Sequence, residues 1–216
     1  MAKLKLCILI SGRGSNLKSL IDACKAEDFP AEIALVISND TEAYGLKRAE
    51  EAKVPSYVIS HKEFSTRDHF DDTMAKKIKK YNVDLICLAG FMRILGDKLI
   101  DQWKNKIINI HPSLLPSFKG MNIHQRVIDS GVKFSGCTVH FVRCEMDSGP
   151  ILLQAIVPVL PGDDAKTLAA RILKQEHRVY PKAIKMIASG RVKITNEKVI
   201  IDGAYSTEES LVNPLL

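Results

Sequence analysis

Asn109 and His111 stand at the end of an apolar run, Ile107-Ile108-Asn109-Ile110-His111-Pro112. Strand alternation sends these two side chains to one side and Ile108 and Ile110 to the other. A donor amide and a titratable ring on one surface are the groups that stabilise an oxyanion developing on a carbonyl, an effect of ~3 kcal/mol per donor. The same pair could instead do no more than cap a strand end. Asp147 sits in Glu145-Met146-Asp147-Ser148-Gly149-Pro150, a turn composition that holds a carboxylate at a loop. Beside His111 it would fix the ring's tautomer and make it a better proton donor near neutral pH. Spacing alone does not bring the two together.

A second group, Ser11-Gly12-Arg13-Gly14-Ser15-Asn16, lies between an apolar run and a helix-period stretch. Such a turn aims backbone N–H groups and a helix dipole at a phosphate. It fits neither GxGxxG nor GxxxxGKS/T, so dinucleotide and nucleoside-triphosphate sites are not expected. What remains is a monophosphate site, or a plain Gly-rich turn capped by Ser15 or Asn16. No nucleophile is evident: GxSxG and HExxH are absent, and Ser113 lies in a proline-bounded loop without an activating base. Alternation sends Cys137 to the face opposite His140 and Cys144, so no metal site is expected. Thr138 and His140 read either as core polar residues or as a second wall of the site.

Holding these groups requires a sheet. Apolar runs at 5–11, 32–38, 56–59, 84–89 and 106–110 read as short strands, separated by helix-period stretches at 17–25, 42–52, 66–81 and 96–103. The alternation predicts an α/β fold, a single-domain Rossmann-like parallel sheet with helices on both faces. Open sheets of that kind bind ligands at the C-terminal ends of their strands, where His111 falls. After a Pro/Gly-punctuated loop at 112–120 the pattern becomes a helix at 123–129, strands at 134–143 and 154–160, a long helix at 165–189 and a small hairpin around Asn196. The expected result is an antiparallel C-terminal extension, one domain over 1–205 and a tail at 206–216 with no packing signal.

Composition narrows the function classes. The chain has 216 residues, 46% hydrophobic and 26% charged, with no apolar run near the ~20 needed to span a bilayer. Lys3 and Lys5 before a short apolar run imitate a signal peptide, but no small-residue cleavage site follows, so export is not expected. Five cysteines without a CxxC pair suit a reduced cytosol and read as packed thiols. The net charge of +6 favours anionic partners. The run Lys76-Lys77 with Lys79-Lys80 lacks interleaved aromatics and reads as a solvated helix face rather than a nucleic-acid patch.

Together SGRGSN (11–16), LAGFMRIL (88–95), NIHPSLLP (109–116), TVHFV (138–142), DSGPIL (147–152) and QEHRVYP (175–181) resemble the folate-dependent formyltransferases, from about residue 4 to 201. SGRGSN and QEHRVYP point within them to the phosphoribosylglycinamide branch. The resemblance implies transfer of a formyl group from 10-formyltetrahydrofolate, used as co-substrate, to the amine of 5-phosphoribosylglycinamide. Attack is direct, through a tetrahedral intermediate, which agrees with the missing nucleophile. It assigns catalysis to Asn109, His111 and Asp147. Gly14, Ser15 and Asn16 are implied to hold the phosphate and Glu176 the ribose hydroxyls or amine end. Leu173 stands where the family often has a polar or basic residue that reaches the phosphate, so either Lys174 beside it substitutes by a shifted reach or Ser15, Asn16 and the helix terminus suffice. Arg67, Met92, Arg93, Ile94, Leu95, Asn109 and the stretch Arg143, Cys144, Glu145, Met146, Asp147 are implied to line the folate. Residues 118–121 read as a hinged cover.

The implied protein is a cytoplasmic monomer or homodimer with small-molecule substrates, without metal, nucleic acid or membrane partners. Three rival readings are separable. A methionyl-tRNA formyltransferase would need a further C-terminal domain for which the residues after 190 leave no room. A formyltetrahydrofolate hydrolase would use water as acceptor and carry an extra N-terminal domain. A phosphate- or nucleotide-sensing module would show no turnover.

Overall fold

A computed structural model describes residues 2–204 and 208–214. Its elements alternate through β1 (Leu4–Ile10), α1 (Ser15–Cys24), β2 (Ala31–Ser38), α2 (Tyr44–Glu51) and β3 (Ser56–Val58). A 3-10 turn at His61–Glu63 leads to α3 (Arg67–Lys80), β4 (Leu85–Leu88), α4 (Asp97–Gln102) and β5 (Ile107–His111). The second half contains α5 (Ile123–Ser130), β6 (Phe134–Phe141), β7 (Ile151–Pro158), α6 (Ala165–Ala188), β8 (Val192–Thr195) and β9 (Lys198–Ile201). The main sheet has seven strands in the order β3-β2-β1-β4-β5-β6-β7. Neighbours from β3 to β5 are parallel, and the β5-β6 and β6-β7 pairs are antiparallel. A separate antiparallel hairpin, β8-β9, follows α6. This is the expected Rossmann-like α/β fold.

The period of two along β1 divides the core. Leu6, Ile8 and Ile10 pack with Leu17 and Leu20 of α1 and Tyr180, Ala183 and Ile184 of α6. Cys7 and Leu9 turn to Phe70, Met74 and Ile78 of α3 and Leu99 and Ile100 of α4. Each large side chain so buried contributes about 1.5–3 kcal/mol. Helix α6 starts with a capping box in which Asp164 and Thr167 satisfy each other's backbone N–H groups. Its Tyr180 hydroxyl donates to the Leu88 carbonyl at 2.9 Å, tying the helix to the C-terminal end of β4.

Differences from the expected elements have local causes. Helix α1 begins at Ser15 rather than near 17, because Gly14, left-handed at φ 65°, serves as its N-cap. Strand β7 begins at Ile151, since the run directly after Gly149-Pro150 already pairs with β6, and it ends at Pro158. The 3-10 turn at His61–Glu63 carries no periodic signal and was not expected. Cys7, Cys87 and Cys137 fill the core, but Cys144 is exposed, because the chain has left β6 for a turn by that point. Residues 206, 207, 215 and 216 of the expected tail lie outside the described residues. The described residues 208–214 form no helix or strand, although the Asn213 amide donates to the carbonyls of Lys133 and Val159.

Candidate functional site

The C-terminal end of β5 abuts the antiparallel strand β6, with Asn109 opposite His140 and His111 opposite Thr138. The turn after β6 then returns Asp147, in a left-handed conformation at φ 53°, to the same place. Its Oδ1 lies 3.4 Å from His111 Nδ1, both side chains being less than one-tenth exposed. The other carboxylate oxygen accepts the Gly120 N–H at 2.9 Å. His111 Nε2 lies 3.0 Å from the Phe118 carbonyl. A carbonyl only accepts, so Nε2 carries the proton in this arrangement.

His140 is buried beside Asn109, its Nε2 3.8 Å from Asp147 Oδ1. Its Nδ1–H donates to the Phe141 carbonyl at 3.0 Å, which leaves Nε2 as acceptor for the Asn109 amide at 3.3 Å. Burial holds the His140 pKa below the ordinary histidine value, keeping this acceptor neutral. One N–H of the Asn109 amide is thereby oriented toward the ring.

The glycine loop is shaped by backbone contact. A Cβ on Gly14 would come within 2.7 Å of the Gly45 Cα, so α2 closes on the loop only because Gly14 is glycine. The Gly45 N–H donates to the Gly12 carbonyl at 3.0 Å, and Arg48 Nε donates to the Arg13 carbonyl at 2.9 Å. No side chain caps α1. Asn16, buried on its first turn, donates to Glu176 Oε2 at 2.7 Å. Burial pushes the Glu176 carboxyl up, and the Asn16 bond opposes the shift. Asn16 Oδ1 and His177 Nε2 are buried without a protein partner. Gly14, Ser15, Asn16 and Glu176 thus converge. Lys174 does not join them: it is exposed, two residues from Glu176 and so about 200° around the helix from it.

Between these groups and solvent lies an apolar rim. Met92, Ile94, Met121 and Met146 are each more than half exposed, whereas Leu95 is buried. The Met92 N–H donates to Ser11 Oγ at 2.7 Å, and the Gly96 N–H to the buried Asp71 carboxylate at 2.6 Å, so the 92–96 segment is held at both ends. Arg67 opens α3 beside Gly96. Arg93 is exposed on the same segment. Arg143 turns away: its guanidinium binds Glu197 at 2.7 Å and Asn105 at 2.7 Å, fastening the β8-β9 hairpin. Glu145 pairs with Lys119 at 3.0 Å. Asp97 beside the exposed Cys144 raises that thiol's pKa. Among the described residues, no group of three His, Cys, Asp or Glu side chains is placed to hold a metal.

Sequence reasoning missed the contacts supplied by Phe118 and Gly120, since backbone groups leave no residue-type signal. Thr138 and Gln154, which hold the loop bearing them, were detectable only from strand register.

Residues 4–184 match the family model described as formyl transferase. The chain is 46% identical over 209 residues to a phosphoribosylglycinamide formyltransferase of Haemophilus influenzae, covering 97% of this chain and 99% of that protein. It is 48% identical to the trifunctional purine biosynthetic protein adenosine-3 of Gallus gallus over 89% of this chain, and spans only 19% of that longer protein. The crystal structure of glycinamide ribonucleotide transformylase 1 from Symbiobacterium toebii superposes with a TM-score of 0.90 at 44% identity, covering 92% of this chain and 94% of that one.

Proposed function

The chain belongs to the formyl transferase family, and we propose that it transfers the formyl group of 10-formyltetrahydrofolate to the amine of 5-phosphoribosylglycinamide, as a step of purine biosynthesis. The observation that carries this reading is that β1 and β5, two strands apart in the parallel part of the sheet, end on the same edge, so the N-terminus of α1 with the Asn16–Glu176 pair and the group Asn109, His111 and Asp147 stand along one edge. The first end suits a phosphorylated ribose. The second suits a carbonyl under attack by an amine.

The chemistry follows from atoms already placed. The substrate amine forms the new C–N bond while the folate nitrogen leaves, with no enzyme nucleophile needed. The free N–H of Asn109 and the Nε2–H of His111, which the Phe118 carbonyl holds until the formyl oxygen takes its place, stabilise negative charge on that oxygen, each such donor contributing about 3 kcal/mol. Asp147 holds His111 and accepts, through water, the proton that the amine loses. The folate nitrogen takes up one proton as it departs, so protons balance. Met92, Ile94, Leu95 and Met146 cover the apolar part of the folate, with Arg67, Arg93 and the backbone from Arg143 to Glu145 at its edges. Gly14, Ser15 and Asn16 receive the phosphate and Glu176 the ribose hydroxyls, with Lys174 assisting only by reaching around the helix. The reading includes a cytoplasmic monomer or homodimer without metal. Folate release measured with and without the ribonucleotide tests it: ribonucleotide-dependent release is expected, and release that ignores the ribonucleotide would mean hydrolysis.

A further inference from the structure

The register of the antiparallel strands places His111, Thr138 and Gln154 in one row, His111 opposite Thr138 and Thr138 opposite Gln154. Neighbours in such a row are ~5 Å apart, so Gln154 is two strands from His111 and too distant to touch it. Its amide instead donates to the Leu115 carbonyl at 3.0 Å and to Thr138 Oγ1 at 3.0 Å. Thr138, fully buried, donates to the Ser113 carbonyl at 2.7 Å and accepts the Leu115 N–H at 3.1 Å. Its hydroxyl therefore has all its hydrogen-bonding capacity used. Ser113, also fully buried, continues the chain of contacts by donating to the Ser117 carbonyl at 2.6 Å. The next residue is Phe118, left-handed at φ 56°, whose carbonyl meets His111 Nε2.

We propose that Thr138 and Gln154 are positioning residues for His111, acting through the 113–118 loop to place the Phe118 carbonyl on Nε2 and so select which ring nitrogen faces Asp147. Neither residue touches the reacting atoms. A carbonyl at Nε2 demands N–H there, which turns Nδ1 toward the carboxylate. The loop tip has contacts of its own, Gly120 on Asp147 and Arg126 on the Lys119 carbonyl at 2.6 Å. Those contacts fasten the tip at 119–120, whereas Thr138 and Gln154 fasten the start of the loop at Ser113 and Leu115. The transferase reading is needed only for the kinetic half of the test.

The variants are Gln154→Met, which keeps length and loses the donor, Thr138→Val, which keeps shape and loses the hydroxyl, and Thr138→Ser, which restores it. Nitrogen-15 spectra of histidine-labelled protein report the hydrogen bonding of each ring nitrogen, with His111 assigned from a His111→Asn sample. Wild type and Thr138→Ser are expected to share one pair of His111 ring-nitrogen shifts, that of a ring held between the Phe118 carbonyl and Asp147. Gln154→Met and Thr138→Val should show the Nε2 resonance displaced and broadened, as expected when the Phe118 carbonyl no longer holds that nitrogen. In turnover those two should lose about tenfold in kcat with both KM values within about twofold, and Thr138→Ser should follow wild type. An unchanged imidazole spectrum in Gln154→Met and Thr138→Val would overturn the proposal, as would a Thr138→Ser defect equal to that of Thr138→Val. Wild-type protein without turnover would count against the transferase reading alone, and the spectra would still decide the positioning role.

Discussion

Replacing Asp147 by Asn removes one charge and little else. Asn tolerates the left-handed φ of 53° at this position as well as Asp does, so the turn is retained. An amide oxygen also still accepts the Gly120 N–H that Asp147 Oδ2 accepts at 2.9 Å. The loss is the negative charge 3.4 Å from His111 Nδ1. At an effective dielectric of about 20, a unit pair at that separation is worth roughly 5 kcal/mol, a ceiling of ~10³- to 10⁴-fold in rate if it acts wholly in the transition state. General acid-base groups contribute ~10²–10⁴-fold, so a fall of roughly 10³-fold in kcat is expected, with KM for either substrate changed little. Absorbance change on folate release measures it, and circular dichroism with a melting curve checks that the fold survives. A folded variant within about threefold of wild-type kcat would refute the role given to Asp147.

Three further outcomes follow from other parts of the structure. Ser15→Ala combined with Asn16→Ala should raise KM for the ribonucleotide roughly 10²-fold, from lost hydrogen bonds to a charged group, and a fall in saturated turnover alone would contradict a phosphate role. Gly14→Ala forces a Cβ to within 2.7 Å of Gly45 at a φ of 65° and should cost about 1–3 kcal/mol of stability, so an unchanged melting temperature would show that the loop and α2 are not closely packed. Burial holds the pKa values of His124, His140 and His177 low, so the unfolded chain takes up protons first as pH drops below about 6.5. Stability present above that pH is therefore lost as the pH falls from about 7.5 to 6, with the three histidines outweighing the two raised carboxyls of Asp71 and Glu176, which act in the opposite direction. A melting temperature that is flat or rising over that interval would contradict this.

Legibility in the sequence followed the range of each interaction. Alternation in β1 and the helix period of α3 and α6 are local, and these elements lie close to where the pattern put them. Asn109 and His111 share a side because they are two apart on one strand. Their partners were harder. Asp147 reaches His111 through a turn that no spacing rule connects to β5, and it was located by resemblance rather than by geometry. His140 opposite Asn109 depended on the register of an antiparallel pair, which strand periodicity alone leaves open. The Phe118 carbonyl left no trace at all, because every residue has one. Lys174 and Arg143 show the reverse case, a residue type that says little of where its side chain goes. Both are plausible by type and position in the chain, but one lies on the far side of α6 from Glu176 and the other is bound to Glu197 and Asn105.

The most direct test of the account is to follow the formyl carbon. With donor labelled at that carbon and 5-phosphoribosylglycinamide present, mass spectrometry should find the label on the ribonucleotide amine, in amounts equal to the tetrahydrofolate released. Label recovered as formate instead would contradict transfer and assign the site to hydrolysis.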